Sequence, residues 1–289
     1  MSDVEVKREV QQFYDRVGWQ LEQDGFYQNA RYEDLRPVSR EYIHRCHLRI
    51  TPLLAYGGQF LLDAGSGPVQ YPEYLTYSQP YDHRVCADIS IVALQEARKR
   101  LGEHGLFVVA DVANLPFAPD VFDGAVSLHT LHHLPINDQQ KAYREIHRAL
   151  KPGKTAVVVN GWTDSPLMRK FKPVMTLMER LGSQIAVWRG KKPAAAKPAS
   201  AEQKVSEAKP TGTYIQKMDA TRLRSELAGE MDLEIRCWRS VNVRFLRAVV
   251  HTALGGKYWL RLLYWLEDRY PVYFGENGQY PLVIVRKRA

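Results

Sequence analysis

The chain has 289 residues, which is enough to bury a complete α/β core with additions. Its three cysteines, Cys46, Cys86 and Cys237, are far apart and form no CxxC pair, so they indicate neither a zinc site nor a disulfide framework. No basic-then-apolar leader follows Met1, and no run of about 18 apolar residues occurs. We therefore expect a cytoplasmic protein.

The net charge of +8 is concentrated at one end of the chain. Residues 163–289 carry 23 basic and 12 acidic side chains, whereas residues 1–162 carry 17 basic and 20 acidic ones. A positive surface of this kind can bind nucleic acid, anionic lipid or an acidic substrate, and it can also be an ordinary solvated face. The charge pattern leaves these alternatives open.

The first 55 residues predict helices ahead of any strand. Apolar side chains recur at helical spacing near the N-terminus, at Val6, Val10, Phe13 and Val17. A second helix is expected over residues 39–54. We assign residues 1–55 to a helical cap.

A glycine-rich turn follows the first predicted strand. The segment LLDAGSG ends an apolar run at Asp63 and continues as the small turn Gly65-Ser66-Gly67. Glycines in such a turn let the backbone approach a nucleotide-like ligand closely. The dinucleotide-binding fingerprint would need glycine at position 70, which is Gln70, and this disfavours a nicotinamide oxidoreductase.

Four more strands are predicted at regular intervals, with helices between them. The strands are expected at residues 84–88, 107–111, 122–129 and 155–160, and the helices at 91–101 and 138–150. Asp88 and Asp111 end two of these strands, and Asp88 follows Asp63 by 25 residues, a spacing typical of a ribose-binding acid. This alternation predicts a parallel sheet with ligands at the carboxyl ends of its strands.

These motifs resemble the class I S-adenosylmethionine-dependent methyltransferases over roughly residues 56–162. Within that class, the run DVANLPF at 111–117 and the run LHHL at 131–134 are similar to the small-molecule branch, which includes the methyltransferases of quinone biosynthesis. The resemblance implies an α/β fold with a Rossmann-like, seven-stranded, mostly parallel sheet and an antiparallel edge, and S-adenosylmethionine as cofactor. One departure is Val69, which stands where the family loop usually has a third glycine.

The resemblance also implies which residues bind the cofactor. Asp88 would hold the ribose, Asp111 and Val112 would border the adenine, and Tyr14 would cover the methionine end from the leading helix. Asp63 and the glycine turn would surround the methionine part. The implied set is Tyr14, Asp63, Gly65, Ser66, Gly67, Asp88, Ile89, Asp111, Val112 and His129.

Candidates for catalysis lie where the fourth and fifth strands end, namely His129, Thr130, His132, His133, Asn160 and Trp162. A neutral histidine can accept a proton from a hydroxyl or an amine, so His129 and His133 are the catalytic candidates. Either histidine could instead only pack or cap a helix. The two are four residues apart but have no third ligand in register, so we expect no metal.

The remainder of the chain decorates and completes the core. Residues 163–213 predict a methionine-rich helix at 167–187 and a flexible linker over 189–212 that has almost no apolar bulk. Residues 214–289 are expected to complete the core sheet with strands at 233–238 and 280–286, separated by an aromatic lid helix.

Apolar residues occupy both faces of that aromatic helix, which suggests a helix wrapped on most sides. One face holds Trp259, Leu262, Leu263 and Leu266, and the other holds Leu260, Tyr264 and Trp265. The helix can be a lid over an apolar substrate, an interfacial helix at a membrane surface, or an ordinary core helix.

We therefore predict methyl transfer from S-adenosylmethionine to a small or lipophilic organic acceptor, at oxygen, nitrogen or carbon. Positioning would supply most of the rate, with a histidine base as an option. A nucleic-acid methyltransferase is the main alternative, although the fourth strand ends SLHT and lacks the Asn/Asp-Pro-Pro-aromatic signature. A non-enzymatic cofactor-binding protein is an alternative of another class. Peripheral membrane contact stays open.

Overall fold

A computed structural model describes residues 3–19, 33–188 and 214–289. Seven strands form one sheet in the order β3-β2-β1-β4-β5-β7-β6. Their bounds are Gly58–Ala64 (β1), Tyr81–Asp88 (β2), Gly105–Val109 (β3), Gly124–Leu128 (β4), Thr155–Val159 (β5), Asp232–Arg239 (β6) and Tyr280–Arg286 (β7). The pairs from β3 to β5 are parallel, and β7 is antiparallel to both β5 and β6. The predicted seven-stranded α/β sheet with an antiparallel edge is confirmed.

Helices cover both faces of this sheet and its carboxyl edge. Their bounds are Asp3–Phe13 (α1), Pro37–Leu48 (α2), Thr51–Leu54 (α3), Pro72–Leu75 (α4), Ile91–Leu101 (α5), Ile136–Ala149 (α6), Pro166–Trp188 (α7), Ala220–Leu227 (α8), Val243–Val249 (α9), Gly256–Arg269 (α10) and Pro271–Asn277 (α11). A π-helical turn, Tyr14–Gly18, continues α1. No helix in these described ranges is both long and apolar enough to cross a bilayer.

Side-chain alternation along the strands divides the core into two layers. On β1, Leu62 packs in the cluster that contains α6 and α8, whereas its neighbour Leu61 packs in the cluster on the other face. On β2, Val85 and Cys86 divide in the same way. Successive strand residues point to opposite faces, so apolar residues at both positions bury both faces of the central strands.

Among the predicted elements, one helix is divided and one strand ends early. The helix expected over residues 39–54 is divided into α2 and α3, with Pro52 in the first turn of α3, where a missing amide N–H costs no hydrogen bond. The strand expected at 107–111 ends at Val109, so Asp111 lies in the following loop. The linker expected over 189–212 lies outside the described residues.

The prediction that α10 is wrapped on most sides is wrong. Of its apolar side chains, Leu260 is buried, whereas Trp259 and Trp265 are 66% and 59% exposed. These two tryptophans are therefore not part of the hydrophobic core. The buried side of the helix instead carries a carboxylate near its C-terminus, that of Glu267, which is 1% exposed.

Glu267 links α10 to α2 and to the end of β6. Its Oε1 accepts hydrogen bonds from Tyr42 Oη at 2.7 Å and from the Ser240 backbone amide at 2.8 Å. Its Oε2 accepts from Arg49 at 2.9 Å, and the same guanidinium nitrogen also donates to the Trp238 carbonyl oxygen at 2.7 Å. The apolar contacts around this group join α2, α7, α9 and α10 into one helical layer.

Replacing Glu267 by alanine should destabilise the fold by about 3–5 kcal/mol, because the buried Arg49 would lose its main counter-ion. Urea unfolding of the purified protein measures this change. Glu41→Ala is the matched control, since Glu41 pairs with Arg261 on an exposed surface and its loss should leave the midpoint nearly unchanged. Equal midpoints for both variants would contradict the role assigned to Glu267.

Candidate active site

The glycine turn after β1 is held by its neighbours at the carboxyl edge of the sheet. The Gly65 amide donates to the Ala87 carbonyl oxygen at 2.7 Å, and Thr130 Oγ1 donates to the Gly65 carbonyl oxygen at 2.8 Å. Gly65 has a φ of +76°, and a Cβ atom there would lie 2.0 Å from the Thr130 side chain. Only glycine fits this position.

Val69 adopts the backbone conformation that a glycine would favour. Its φ is +52°, the same as that of Gly67, and its side chain is fully buried. A β-branched residue with positive φ is strained, at a cost on the order of 1–3 kcal/mol. The loop therefore has a positive φ at position 69 without a glycine there, and the buried side chain offsets part of the strain.

Asp88 connects the glycine turn to the loop after β2. Its Oδ2 accepts from the Gly67 amide at 2.8 Å, and its Oδ1 accepts from the Ser90 amide at 2.9 Å. Burial raises the pKa of this carboxyl group to about 6. Each oxygen has a second lone pair, so the carboxylate can still accept hydrogen bonds from a ribose.

Asp63 has a partner within the protein. Its Oδ2 accepts from Arg84 Nε at 2.9 Å, both side chains are buried, and Arg84 also donates to the Tyr74 carbonyl oxygen. This ion pair joins β1 to β2 directly below the glycine turn. A direct contact of Asp63 with the methionine part of the cofactor stays a prediction.

Helix α1 lies over the ends of β2 and β3. Gln11 Nε2 donates to the Ile89 carbonyl oxygen at 3.1 Å, and Lys7 Nζ lies 2.6 Å from Asp111 Oδ2. Asp111 also accepts from the Ala113 amide at 2.9 Å. Ile89 and Asp111, two of the residues expected to bind the cofactor, therefore lie under this helix.

The side chains of Tyr14 and Trp19 close the same edge. The two rings stack at 5.0 Å, and a Cβ atom at Gly67 would lie 3.1 Å from the Trp19 ring. Tyr14 Oη lies 2.9 Å from His133 Nε2, while His133 Nδ1 lies 2.8 Å from the Tyr214 carbonyl oxygen. A carbonyl oxygen only accepts, so Nδ1 carries the proton and Nε2 accepts from Tyr14.

His129 follows β4 directly and is held in a strained conformation. Its φ is +55°, and its ring lies 4.9 Å from the ring of Trp238 and 5.6 Å from that of Tyr280. Burial, with the nearby Arg239 charge, lowers the pKa of His129 to about 3, and burial lowers the pKa of His133 to about 4. Both imidazoles are neutral at physiological pH and are weak proton acceptors.

The other strand-end candidates differ in their surroundings. His132 Nδ1 lies 3.3 Å from Asn160 Oδ1. A lysine, Lys217, lies nearby, and burial lowers its pKa. Trp162 Nε1 donates to the Gly275 carbonyl oxygen at 2.7 Å, and its ring belongs to the core. Among the residues that the structure describes, no cluster of three potential metal ligands occurs.

Sequence reasoning missed several polar side chains beside His129. Glu33, His47 and Arg239 are buried there and come from the segment before α2, from α2 and from β6. No spacing in the sequence connects these three positions. The nearest signal is the polar pair Arg239-Ser240, where β6 ends.

Comparisons with known proteins agree with this geometry. Residues 62–158 match the family described as a methyltransferase domain. The chain is 28% identical over 170 residues to the ubiquinone/menaquinone biosynthesis C-methyltransferase UbiE of Coxiella burnetii (strain RSA 331 / Henzerling II), covering 54% of this chain and 66% of that protein. It is 28% identical over 159 residues to the tRNA (carboxymethyluridine(34)-5-O)-methyltransferase of Arabidopsis thaliana, covering 47% and 37%. The chain thus spans about a third to two thirds of the length of these relatives.

Two solved structures share the fold over all or nearly all of the chain. The DhpI–SAH complex superimposes with a TM-score of 0.57 at 11% identity and covers 100% of this chain and 99% of that one. The complex of Haemonchus contortus phosphoethanolamine N-methyltransferase 2 with S-adenosyl-L-methionine has a TM-score of 0.52 at 17% identity and covers 96% and 60%. At these identities the likeness concerns the fold.

Residues 62–158 are therefore a class I S-adenosylmethionine-dependent methyltransferase domain, with S-adenosylmethionine as its cofactor. Within that class the chain is similar to the methyltransferases of quinone biosynthesis. The predicted family, fold and cofactor are confirmed. The glycine turn and Asp88 fit the cofactor, because position 65 tolerates no side chain and Asp88 has free lone pairs.

Asp88→Asn should weaken S-adenosylmethionine binding at least tenfold, because ribose hydroxyls donate more strongly to a carboxylate than to an amide. Asp88 has a folded pKa of about 6, above the unfolded value of about 3.9, so its charge opposes folding above pH 6 and the amide removes that cost. The variant should therefore fold, although its amide group loses one backbone hydrogen bond.

Calorimetry at several pH values checks this role. The affinity of the unmodified protein should fall as the pH drops from about 7.5 to about 5.5, since Asp88 then takes up a proton, and Asp88→Asn should lose this dependence. Asp82→Asn, on an exposed position of the same strand, is the control and should behave like the unmodified protein. An unchanged affinity of Asp88→Asn would remove Asp88 from the cofactor site.

Proposed function

We propose that this protein transfers a methyl group from S-adenosylmethionine to a small, lipophilic organic acceptor. One observation carries the proposal: at the carboxyl edge of the sheet the glycine turn contacts both Asp88 and Thr130, the residue that follows His129. In this proposal residues 1–55 cap a cofactor-binding core at 56–162. The insertion at 163–213 and the aromatic helix within 214–289 flank that core.

The acceptor is proposed to be a reduced quinone or a similar ring, methylated at carbon. The similarity to a protein named as a ubiquinone/menaquinone biosynthesis C-methyltransferase supports this choice. The relative named as a tRNA methyltransferase supports the alternative of a nucleic-acid acceptor, and the basic C-terminal part of the chain is compatible with it. These are the two acceptor classes to be compared.

In this proposal the chain acts mainly by positioning. The cofactor supplies an activated methyl group on its sulfonium. Tyr14 and Trp19 exclude water from the edge of the sheet, and His129 lines the place where the acceptor meets the methyl group. His133 orients Tyr14 through their hydrogen bond. Orientation of this kind supplies a large share of the rate in two-substrate reactions.

Methyl transfer from radiolabelled S-adenosylmethionine tests the acceptor class. We expect label in a reduced naphthoquinone that has an apolar tail and an unmethylated ring carbon, and none in transfer RNA. His129→Asn should lower kcat by at least tenfold, because asparagine tolerates the positive φ but lacks the ring. Label in transfer RNA alone would favour the nucleic-acid alternative, and label in neither acceptor would contradict the proposed class.

Helix α10 is proposed to contact the surface of a membrane that holds the acceptor. Its exposed face combines Tyr258, Trp259, Leu262 and Trp265, of which Tyr258 is 73% exposed. Basic residues border this face at Lys257, Arg261 and Arg269. Aromatic rings and cations on one helix are typical of binding at the interface of an anionic bilayer.

The variant with Trp259→Ala and Trp265→Ala together should stop sedimenting with phosphatidylglycerol vesicles. Its melting temperature should hold, because exposed side chains contribute little to stability. Leu106→Ala, an exposed apolar position on β3, is the matched control and should leave sedimentation unchanged. Binding of the double variant at full strength would exclude α10 as the membrane contact.

A further inference from the structure

The segment 214–218 crosses the carboxyl ends of β4 and β5. Near its start, His133 Nδ1 donates to the Tyr214 carbonyl oxygen at 2.8 Å, after β4. At its end, the Thr163 amide donates to the Met218 carbonyl oxygen at 3.1 Å, after β5. Lys217 lies between these two attachments, and its own carbonyl oxygen accepts from Thr163 Oγ1. The backbone that carries Lys217 is therefore held firmly at this edge of the sheet.

The side chain of Lys217 lies over Gly161, two residues after β5. A Cβ atom at position 161 would lie 2.9 Å from Lys217 Nζ and 3.2 Å from its Cε, so the amine occupies space that a side chain there would need. The same glycine lines a small cavity together with His132, Asn160 and Trp162. The amine is therefore placed at the end of β5, next to this cavity.

The Lys217 amine has no counter-ion among the residues that the structure describes. Burial lowers the pKa of Lys217, and no described carboxylate lies close enough to oppose this effect. Lys7, Lys151 and Lys287, by contrast, each pair with an aspartate. Lys217 is partly exposed, so a ligand can reach it from solvent. A partly buried charge without a partner costs free energy, and its place at this edge points to a ligand that supplies the negative charge.

The charge of Lys217 acts on the region where methyl transfer is proposed to occur. Burial is the main cause that lowers the pKa values of His129, His132 and His133, and the charge of Lys217 adds to it at all three. The amine therefore lies close to all three imidazoles. An anion bound by Lys217 would lie beside the place that His129 is proposed to line.

We propose that Lys217 binds a carboxylate group of the acceptor. This inference rests on the proposed function and narrows the acceptor to a ring that also carries an acidic group. An ammonium group forms charge-assisted hydrogen bonds to a carboxylate oxygen. One amine supplies one positive charge, which matches a carboxylate, whereas a phosphate group carries a larger negative charge.

The contact would select and orient the acceptor, and it would not activate it. The carboxylate keeps its charge throughout methyl transfer, so the ion pair holds the ring in one position while the methyl group moves. A neutral acceptor would cover the amine and leave its charge without a partner, which disfavours such an acceptor. Lys217 is therefore a specificity-determining residue in this inference.

Calorimetric titration with 2-naphthoate and 2-naphthamide tests the inference. The titrated protein is the full chain saturated with S-adenosylhomocysteine, the demethylated form of the cofactor. The two probes have nearly the same shape, and only 2-naphthoate is charged. We expect it to bind about tenfold more tightly, the factor expected for a hydrogen bond between charged groups. Lys217→Met should abolish this preference, and Lys217→Arg should retain it because arginine keeps the charge.

Two controls separate binding from folding and from net charge. Lys287→Met removes a charge that pairs with Asp120 at the opposite edge of the sheet, so the preference for 2-naphthoate should stay unchanged. Lys217→Met should keep or raise the melting temperature, since methionine has a similar length and the variant removes an unpaired charge. A lysine with a purely structural role would instead give a lower melting temperature.

Equal binding of the two probes, binding of neither, or an unchanged preference in Lys217→Met would overturn the inference. An equal loss of preference in Lys287→Met would also overturn it, because the effect would then arise from net charge. Any of these results combined with methylation of the reduced naphthoquinone would leave the proposed function standing. If no acceptor were methylated while 2-naphthoate still bound through Lys217, the proposed function would fail and the carboxylate site would remain.

Discussion

The buried ion pair between Asp63 and Arg84 fixes the part of the sheet on which the active site depends. It joins the end of β1 to the middle of β2, and Arg84 also donates to the Tyr74 carbonyl oxygen of α4. A buried charge is tolerated only when it is paired and hydrogen-bonded. The glycine turn follows β1 immediately and Asp88 is the last residue of β2, so the positions of both depend on this pair.

The helical layer depends on a second buried pair, between Arg49 and Glu267. This pair connects α2 and α10 to the carbonyl oxygen of Trp238 in β6. The proposed membrane contact is therefore joined to the sheet through one rigid group.

The features that could be predicted from the sequence are those that depend on residue periodicity and on local turns. Alternating strands and helices, the glycine turn and Asp88 are short-range signals, and the structure has all of them. The exposure of Trp259 and Trp265 was not predictable, because helical spacing shows which residues share a face but not whether another element covers it. The buried group of Glu33, His47 and Arg239 was not predictable either, since Glu33 and Arg239 are 206 residues apart and meet only through the sheet.

Strain is concentrated where the chemistry is proposed to occur. Two of the three non-glycine residues with positive φ among the described residues are Val69, after the glycine turn, and His129, after β4; the third, Asp120, lies elsewhere. Strain of this kind persists only where rigid surroundings impose it, and here the parallel strands do so through bonds such as that from the His129 amide to the Val159 carbonyl oxygen at 2.7 Å. The strained turn directs the His129 ring toward Trp238 and away from the strand axis. The fold therefore contributes to catalysis by fixing directions, which is the contribution that an already activated methyl donor requires.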